Sequence, residues 1–449
     1  MIEAAAGRGP PRVTLLLAIA FSGAAFVAVL VLTTPWQALP ALPALPGGTG
    51  GTGGTVSVDP SRDFTAAELA REDGFHGAIR PPAYLALAMA LLVPVVLGLT
   101  PLGARLVSRA ARPLGGGWAW QVLLGGLAVA LAVQLATLPF GAWQERVLRD
   151  YGLSTQNWPA WWADQAKAFG LDTGLLLLVL IVLYALLRAL PRMWWLPAAL
   201  GGGAIVLVVS FVYPLVVEPV FNDFQPMRHG ALRSSLLRLA DRDGVLVQGV
   251  LVADASRRTT TLNAYVSGYG PTRRIVVYDT TLRSARPREI RQVVAHELGH
   301  SARGDVVSGT VTGALGVVAG TCLLALVLTG RPVLRRAGVE RLSDPRSLAL
   351  VLALVTVAAT LSGPLQAVVS RRVEAAADVH ALDLTRDPVG HARVMRELAV
   401  ANLADLDPDP LAYAIFASHP TGPERIAIAR EWARLQGLPE PSGVRPESR

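Results

Sequence analysis

Seven stretches of this sequence are long and apolar enough to cross a lipid bilayer, and that feature narrows the possible folds more than any other. A span needs about 20 consecutive apolar residues, and in hydrocarbon its backbone amides must bond within the segment, so each stretch is expected to be a helix. They run over Val13–Thr33, Tyr84–Leu102, Trp118–Leu138, Thr173–Leu190, Trp194–Tyr213, Val306–Thr329 and Ser347–Val369. The chain is 52% hydrophobic and 16% charged, whereas a soluble protein carries about 25% charge. The first stretch follows Arg8 and Arg12. Its apolar core exceeds the roughly 7–15 residues of a signal peptide, so it reads as a retained anchor. Glycines such as Gly125-Gly126 and Gly201-Gly202-Gly203 mark places where helices in lipid can approach closely.

The remaining sequence divides around these spans. Residues 1–34 hold the first span, and 35–82 form a loop whose Pro/Gly/Thr core, Ala38 to Val56, reads as flexible. Residues 83–215 carry spans two to five, 306–370 carry spans six and seven, and 437–449 form a polar tail expected to be disordered. Between them lie two segments outside the membrane, 216–305 and 371–436. The first opens on a helical pattern, GALRSSLLRLADRDG, followed by strand-like runs VLVQGVLVAD, NAYVSGY and RRIVVYDTTL. Pro287 then starts a helix. The expected fold is mainly α: a polytopic membrane protein with a membrane-adjacent α+β domain.

Net charge is +8, and Lys167 is the sole lysine. The arginines cluster in short loops: Arg8 and Arg12; Arg105, Arg109 and Arg112; Arg188 and Arg192; Arg331, Arg335, Arg336, Arg341 and Arg346. Membrane lipids, not nucleic acid, are the expected partner of such loops. All four loops share one face of a seven-span chain, which predicts a multi-pass protein of the cell membrane with that face cytoplasmic. The 216–305 segment would then face outward. The single cysteine, Cys322, lies inside a span, which leaves no disulfide and no thiolate metal site.

Chemistry concentrates in RQVVAHELGHSARGD, Arg291 to Asp305. On a helix, His296 and His300 share a face and can grip one ion. Glu297 points about 100° away, where it can take a proton from water and pass it to a leaving amine. A catalytic zinc takes three protein ligands and keeps one position open. SRRVEAAADVHALD supplies a candidate third, Glu374, with Asp378 four residues on. Two spans separate His300 from Glu374, so both emerge on the same side of the membrane. His76, His229 and His391 read as surface residues, and His380 has no assigned role. His419, in FASHPTGPERI, reads as a positioned loop residue.

With these motifs in place, the chain resembles the integral-membrane zinc endopeptidases of the type I CAAX prenyl protease family, the sterile-factor type. The likeness covers most of the chain from Leu138 onward, including LPFGAWQERVLRDYGLSTQNW, YPLVVEPVFNDFQPM, DASRRTTTLNAYVSGYG and NLADLDPDPLAYAIFASHPTGPERI. It implies a helical barrel around a large chamber and a zincin-like catalytic domain. It implies one zinc per chain on His296, His300 and Glu374, with Glu297 as catalytic base and acid. Asp378 would orient a ligand histidine. Asn263 and His419 would contact the substrate backbone or the developing oxyanion, and Arg425 would support the site without acting in catalysis. The NAYV run also reads as an edge strand that an extended peptide can pair with.

Some positions depart from the family pattern. Ser301 stands where tryptophan is common, Asp305 where histidine is common, and TTLNAYV has an unusual lead-in to its asparagine. Arginine in place of lysine suggests a GC-rich, bacterial genome. The expected substrate is therefore a membrane-associated peptide or protein rather than a prenylated CAAX protein. A heat-shock-type quality-control protease would have fewer spans. A seven-span transporter would place ionisable residues mid-membrane, and these spans hold almost none; a catalytically dead metal-binding scaffold would have lost Glu297 or a ligand, and all are present.

Overall fold

The structure, a computed structural model, describes residues 12–37 and 58–444. Helix α1 is Arg12–Thr33, α2 Ala66–Gly98, α3 Pro101–Ala111, α4 Trp118–Asp150, α5 Trp158–Ala189 and α6 Trp195–Val216. The chain then leaves the helical bundle through α7 (Glu218–Phe221), β1 (Phe224–Pro226) and α8 (Ala231–Arg242). Strands β2 (Val250–Ala253), β3 (Ala264–Ser267) and β4 (Arg274–Tyr278) follow, with α9 (Asp279–Ser284) and α10 (Pro287–Arg303) behind them. Helix α11 (Asp305–Leu328), the short α12 (Arg331–Arg336) and α13 (Leu348–Thr385) re-enter the bundle. Helices α14 (Pro388–Ala401), α15 (Pro410–Phe416) and α16 (Gly422–Leu435) close the chain.

All seven expected spans are helices long and apolar enough to cross a membrane. Several outrun their apolar blocks. Helix α2 starts at Ala66, well before Tyr84, because Thr65 and Glu68 form a capping box. The Thr65 hydroxyl accepts the Glu68 amide at 3.2 Å, and the Glu68 carboxylate accepts the Thr65 amide at 2.8 Å. The same block was expected to continue to Leu102, but α2 ends at Gly98. Pro101 has no amide to continue the ladder and disfavours helix at the residue before it, so it opens α3 instead, capped by Thr100.

The helices pack as a ring in the order α11, α6, α5, α4, α2, α13, with α1 outside against α11. Contacts are dense at α2–α4 and α6–α11 and sparse at α5–α6 and α11–α13. Small residues allow close approach at α2–α13, α3–α4 and α6–α11. A Cβ on Gly98 would lie 2.4 Å from the Ala353 Cβ, and one on Gly125 would lie 2.7 Å from a Val107 methyl. Gly202 and Gly203 meet α11 in the same way, whereas Gly201 faces open space.

Outside the bundle sits a mixed four-stranded sheet ordered β1-β2-β4-β3. Strands β2 and β4 are parallel, while β1–β2 and β3–β4 are antiparallel. The three runs read as strands are present. Strand β1 was not anticipated, because a three-residue FQP segment carries too little alternation to register. Ile275, Val276 and Val277 of β4 are fully buried. Ile290, Val294 and Leu298 of α10 share their core with Leu382 of α13 and Ile426 and Trp432 of α16. Strand β3 pairs only with β4, so it forms an edge of the sheet.

Two flexible segments were drawn too generously. Of the expected loop 35–82, residues 38–57 lie outside the described residues, but 58–65 are anchored to the catalytic domain. Arg430 grips both oxygens of Asp63 at 2.8 and 2.6 Å, and Phe64 is fully buried in the domain core. In the tail, 445–449 lie outside the described residues, while Arg430 holds the Pro441 carbonyl at 3.1 Å and the Val444 amide donates to Asp63 at 3.2 Å. The contacts of Asp63 with Arg430 and Val444 join positions 367 and 381 apart, so no local pattern signals them.

Candidate metal centre

Helix α10 begins at Pro287, whose missing amide costs nothing in the first turn, and Glu289 accepts the Arg286 amide at 2.6 Å. Three turns later it presents His296, Glu297 and His300. The Nε2 atoms of His296 and His300 face each other at 3.2 Å. Helix α13 runs unbroken from the seventh span to Thr385 and brings Glu374 against both. Its Oε2 lies 3.2 Å from His296 Nε2, and its Oε1 lies 3.5 Å from His300 Nε2. The crossing depends on Gly299, where a Cβ would sit only 3.0 Å from the His380 Cβ. His380 itself pairs with Asp243 at 2.8 Å.

The second ring nitrogen of each histidine is committed to a carboxylate. His296 Nδ1 lies 2.9 Å from Asp378 Oδ1, and His300 Nδ1 lies 2.9 Å from Asp305 Oδ2. When each Nδ1–H is donated to its carboxylate, the two Nε2 lone pairs point at one another and at Glu374. Two imidazoles and one carboxylate converge at this point, an arrangement that suits a divalent cation. Zinc bonds of about 2.0–2.1 Å in a tetrahedral site hold ligand atoms roughly 3.4 Å apart, close to the 3.2, 3.2 and 3.5 Å seen here. The ligand atoms of all three residues fall within 4.8 Å of one another. The residues present therefore fit the metal that the motif implies.

The surroundings favour positive charge at this point. Burial and the Arg425 guanidinium oppose protonation of His296, but hydrogen bonds to Asp378 and Glu374 outweigh them and raise its pKa to about 9. The same carboxylates would stabilise a bound cation. Glu297, one residue on, has its pKa raised by burial and by the charge of Glu374, against the pull of the two histidines. A carboxyl lifted in this way is better matched to proton transfer near neutral pH than an ordinary glutamate.

Asp378 is fully buried. Arg425, in the first turn of α16, donates to its Oδ2 at 2.8 Å and its Oδ1 at 2.5 Å. His391, expected at the surface, is fully buried, with Nε2 3.5 Å from Asp378 Oδ1. The correction follows from α14, which turns its His391 face onto the catalytic core. His419 lies on the loop between α15 and α16, its Nε2 3.4 Å from Glu374 Oε2 and its side chain largely exposed. Arg371, one turn before Glu374, holds that loop through the carbonyls of Tyr413 at 2.9 Å and Ala417 at 2.5 Å.

Asn263 stands immediately before β3, with an exposed side chain. Its amide donates to the Thr281 hydroxyl at 2.8 Å, which in turn donates to the Asn263 carbonyl at 2.8 Å. Its side chain makes no hydrogen bond to the histidine–glutamate cluster among the described residues. The preceding residue, Leu262, is clamped on both sides by Asn402, whose Oδ1 accepts its amide at 2.9 Å and whose Nδ2 donates to its carbonyl at 3.1 Å.

The structure thus brings His296, Glu297, His300, Glu374, Asp378, Arg425 and His419 together and sets Asn263 at the sheet edge. Sequence reasoning missed Asp305, His391 and Asn402. Asp305 had a usable signal. Gly304 adopts φ +68° at the end of α10, a left-handed conformation that glycine favours. The reversal folds the next residue back onto His300.

Comparison with known proteins agrees with this geometry. Residues 84–223 match the family described as CAAX prenyl protease N-terminal, five membrane helices, and residues 226–433 match peptidase family M48. The uncharacterized metalloprotease YhfN of Bacillus subtilis is 32% identical over 305 residues, covering 68% of this chain and 72% of that protein. CAAX prenyl protease 1 of Saccharomyces cerevisiae is 26% identical over 312 residues, covering 65% and 68% of the two chains. The crystal structure of S. mikatae Ste24p matches the fold with a TM-score of 0.74 at 21% identity, over 92% of this chain and 98% of that one. With seven membrane-spanning helices, an HExxH helix and both family domains in order, this chain belongs to peptidase family M48, among the Ste24-type CAAX proteases of the membrane.

Proposed function

We propose that this protein is a zinc endopeptidase that cleaves membrane-associated peptides or proteins, with His296, His300 and Glu374 as ligands and Glu297 as the proton-transfer group. The observation that carries the reading is the convergence of two Nε2 atoms and one carboxylate, each histidine locked by its own aspartate. Zinc held there supplies a Lewis acid for the scissile carbonyl and lowers the pKa of water. Glu297 takes the proton from the attacking water and delivers it to the leaving amide nitrogen. Asp378 and Asp305 fix the histidine tautomers and orientations. A substrate strand adds to the open edge of β3, where Asn263 binds its backbone, and His419 donates a hydrogen bond to the developing oxyanion.

The likeness to a Bacillus metalloprotease supports a bacterial setting. The arginines at the far end of the bundle support a cytoplasmic position for that end and an extracytoplasmic one for the metal centre. The test uses a quenched fluorescent peptide carrying a membrane anchor, presented to the protein in lipid nanodiscs. Glu297→Gln is expected to keep one zinc per chain and lose cleavage by a factor on the order of 10³ or more. Cleavage at wild-type rate by the Gln variant would overturn the assignment.

A further inference from the structure

The end of the bundle remote from the metal centre holds a cavity of about 520 Å³. Helix α11 starts beside the centre and has 24 residues, so the cavity lies roughly 36 Å away at about 1.5 Å per residue. Trp118 of α4, Arg188 of α5, and Glu340, Arg341, Asp344 and Arg346 of the loop before α13 line it. The loop is firmly built. Ser347, fully buried, shares a hydrogen bond with the Tyr184 hydroxyl at 2.7 Å and donates to the Leu342 carbonyl at 2.8 Å. Asp344 is already satisfied, because Arg346 Nε contacts both its oxygens at 3.0 and 2.9 Å.

The other charged side chains of the cup, Arg188, Glu340 and Arg341, are exposed to solvent. Arg188, Arg341 and Glu340 make no ion pair among the described residues. The Arg188 guanidinium lies over the Trp118 ring at 5.2 Å, which fixes its direction while leaving its donors unspent. The cup therefore offers two solvent-facing cations that lack an ion pair and one carboxylate, Glu340, whose charge also faces Arg346, joined to a tryptophan at the end of a span, where indole rings sit at head-group level. Arginine pairs suit phosphate oxygens, and a lone carboxylate beside them calls for a positive group on the same ligand.

We propose that this cup binds a phosphodiester carrying a primary amine, the head-group chemistry of an aminophospholipid. The phosphate sits between Arg188 and Arg341, and the ammonium is held by Glu340. Its place at the ends of three spans gives a membrane lipid direct access, while a soluble phosphodiester would enter from water. Bound ligand ties α4, α5 and the α12–α13 loop together.

The test uses the full chain, delipidated in detergent, with dioleoyl phosphatidylethanolamine, dioleoyl phosphatidylcholine and water-soluble glycerophosphoethanolamine as probes. Native mass spectrometry reads the adduct, and the thermal midpoint reads its effect. The expected result is one retained ethanolamine lipid per chain, bound about tenfold tighter than the choline lipid. Arg188→Gln/Arg341→Gln is expected to lose that binding at least tenfold, while Arg105→Gln/Arg109→Gln on the exposed face of α3 keeps it. Displacement by glycerophosphoethanolamine assigns recognition to the head group from either source; resistance to displacement assigns the site to the anchored lipid. Binding that survives in the first double variant, or falls equally in the second, overturns the proposal. Should the first double variant fail to fold, Glu340→Gln serves alone: it must erase the preference for ethanolamine over choline, and an unchanged preference refutes the site.

Discussion

Asp305 faces Nδ1 of His300 at 2.9 Å, just as Asp378 faces Nδ1 of His296 at 2.9 Å. Each metal-facing histidine thus has its own carboxylate, one from the start of α11 and one from α13. Replacing Asp305 by Ala should weaken zinc binding about 10- to 100-fold. Competition against a chromophoric chelator measures this directly. An affinity equal to wild type would show that Asp305 does not set the ring orientation.

Glu374 is the only carboxylate that touches both histidines at Nε2 among the described residues. Glu374→Ala should drop the metal content from one zinc per chain to a small fraction of that, read by atomic emission on protein purified without added metal. Full zinc in this variant would mean that another residue is the third ligand.

Arg425, part-buried, pairs with the fully buried Asp378. Arg425→Met leaves the buried Asp378 without its guanidinium, with only His296 and His391 beside it, so unfolding should become easier by up to about 3–5 kcal/mol. Adding Asp378→Asn should restore much of the thermal midpoint but not the zinc affinity, because the His296 partner is then altered too. If the double variant is no more stable than the single one, burial of an unpaired carboxylate is not the cause.

A pH effect should come from α14. Burial, then repulsion from Glu289 on α10, raises the pKa of Glu397 from 4.5 to about 7. The folded chain therefore holds a proton that the unfolded chain releases near pH 4.5. The stabilising contribution is present in full below that pH and is lost as pH rises toward 7. Zinc loss at low pH works in the opposite direction, so the informative quantity is the difference between wild type and Glu397→Gln. The variant should gain in thermal midpoint relative to wild type between pH 5 and pH 8. A difference that stays flat over that range would remove Glu397 from the account.

Asn402 holds the backbone of Leu262, the residue before Asn263. Asn402→Ala should raise KM several-fold, lower kcat less, and leave zinc content unchanged, as expected when uniform binding is lost. A fall in kcat with KM constant would place Asn402 nearer the chemistry than its contacts suggest.

What could be read from the sequence depended on the range of the physics involved. Hydrocarbon forces each span to declare itself within about 20 residues, so all seven were visible. Helical spacing put His296 and His300 together, and counting spans brought Glu374 to the same side. The Asp63–Arg430 clasp and the fully buried His391 arise from packing between distant segments, and neither leaves a local pattern. Asp305 fell between these cases, since its position depends on one left-handed glycine.

The metal-facing residues straddle a membrane hairpin. His296 and His300 precede α11, Glu374 comes only near the end of α13, and both helices must be laid into the bilayer before the three meet. A ribosome-bound chain therefore carries half a centre, and it stays inert through synthesis until the last hairpin is inserted. Under the proposed reading, the order of the chain ties a complete centre to insertion of the last hairpin.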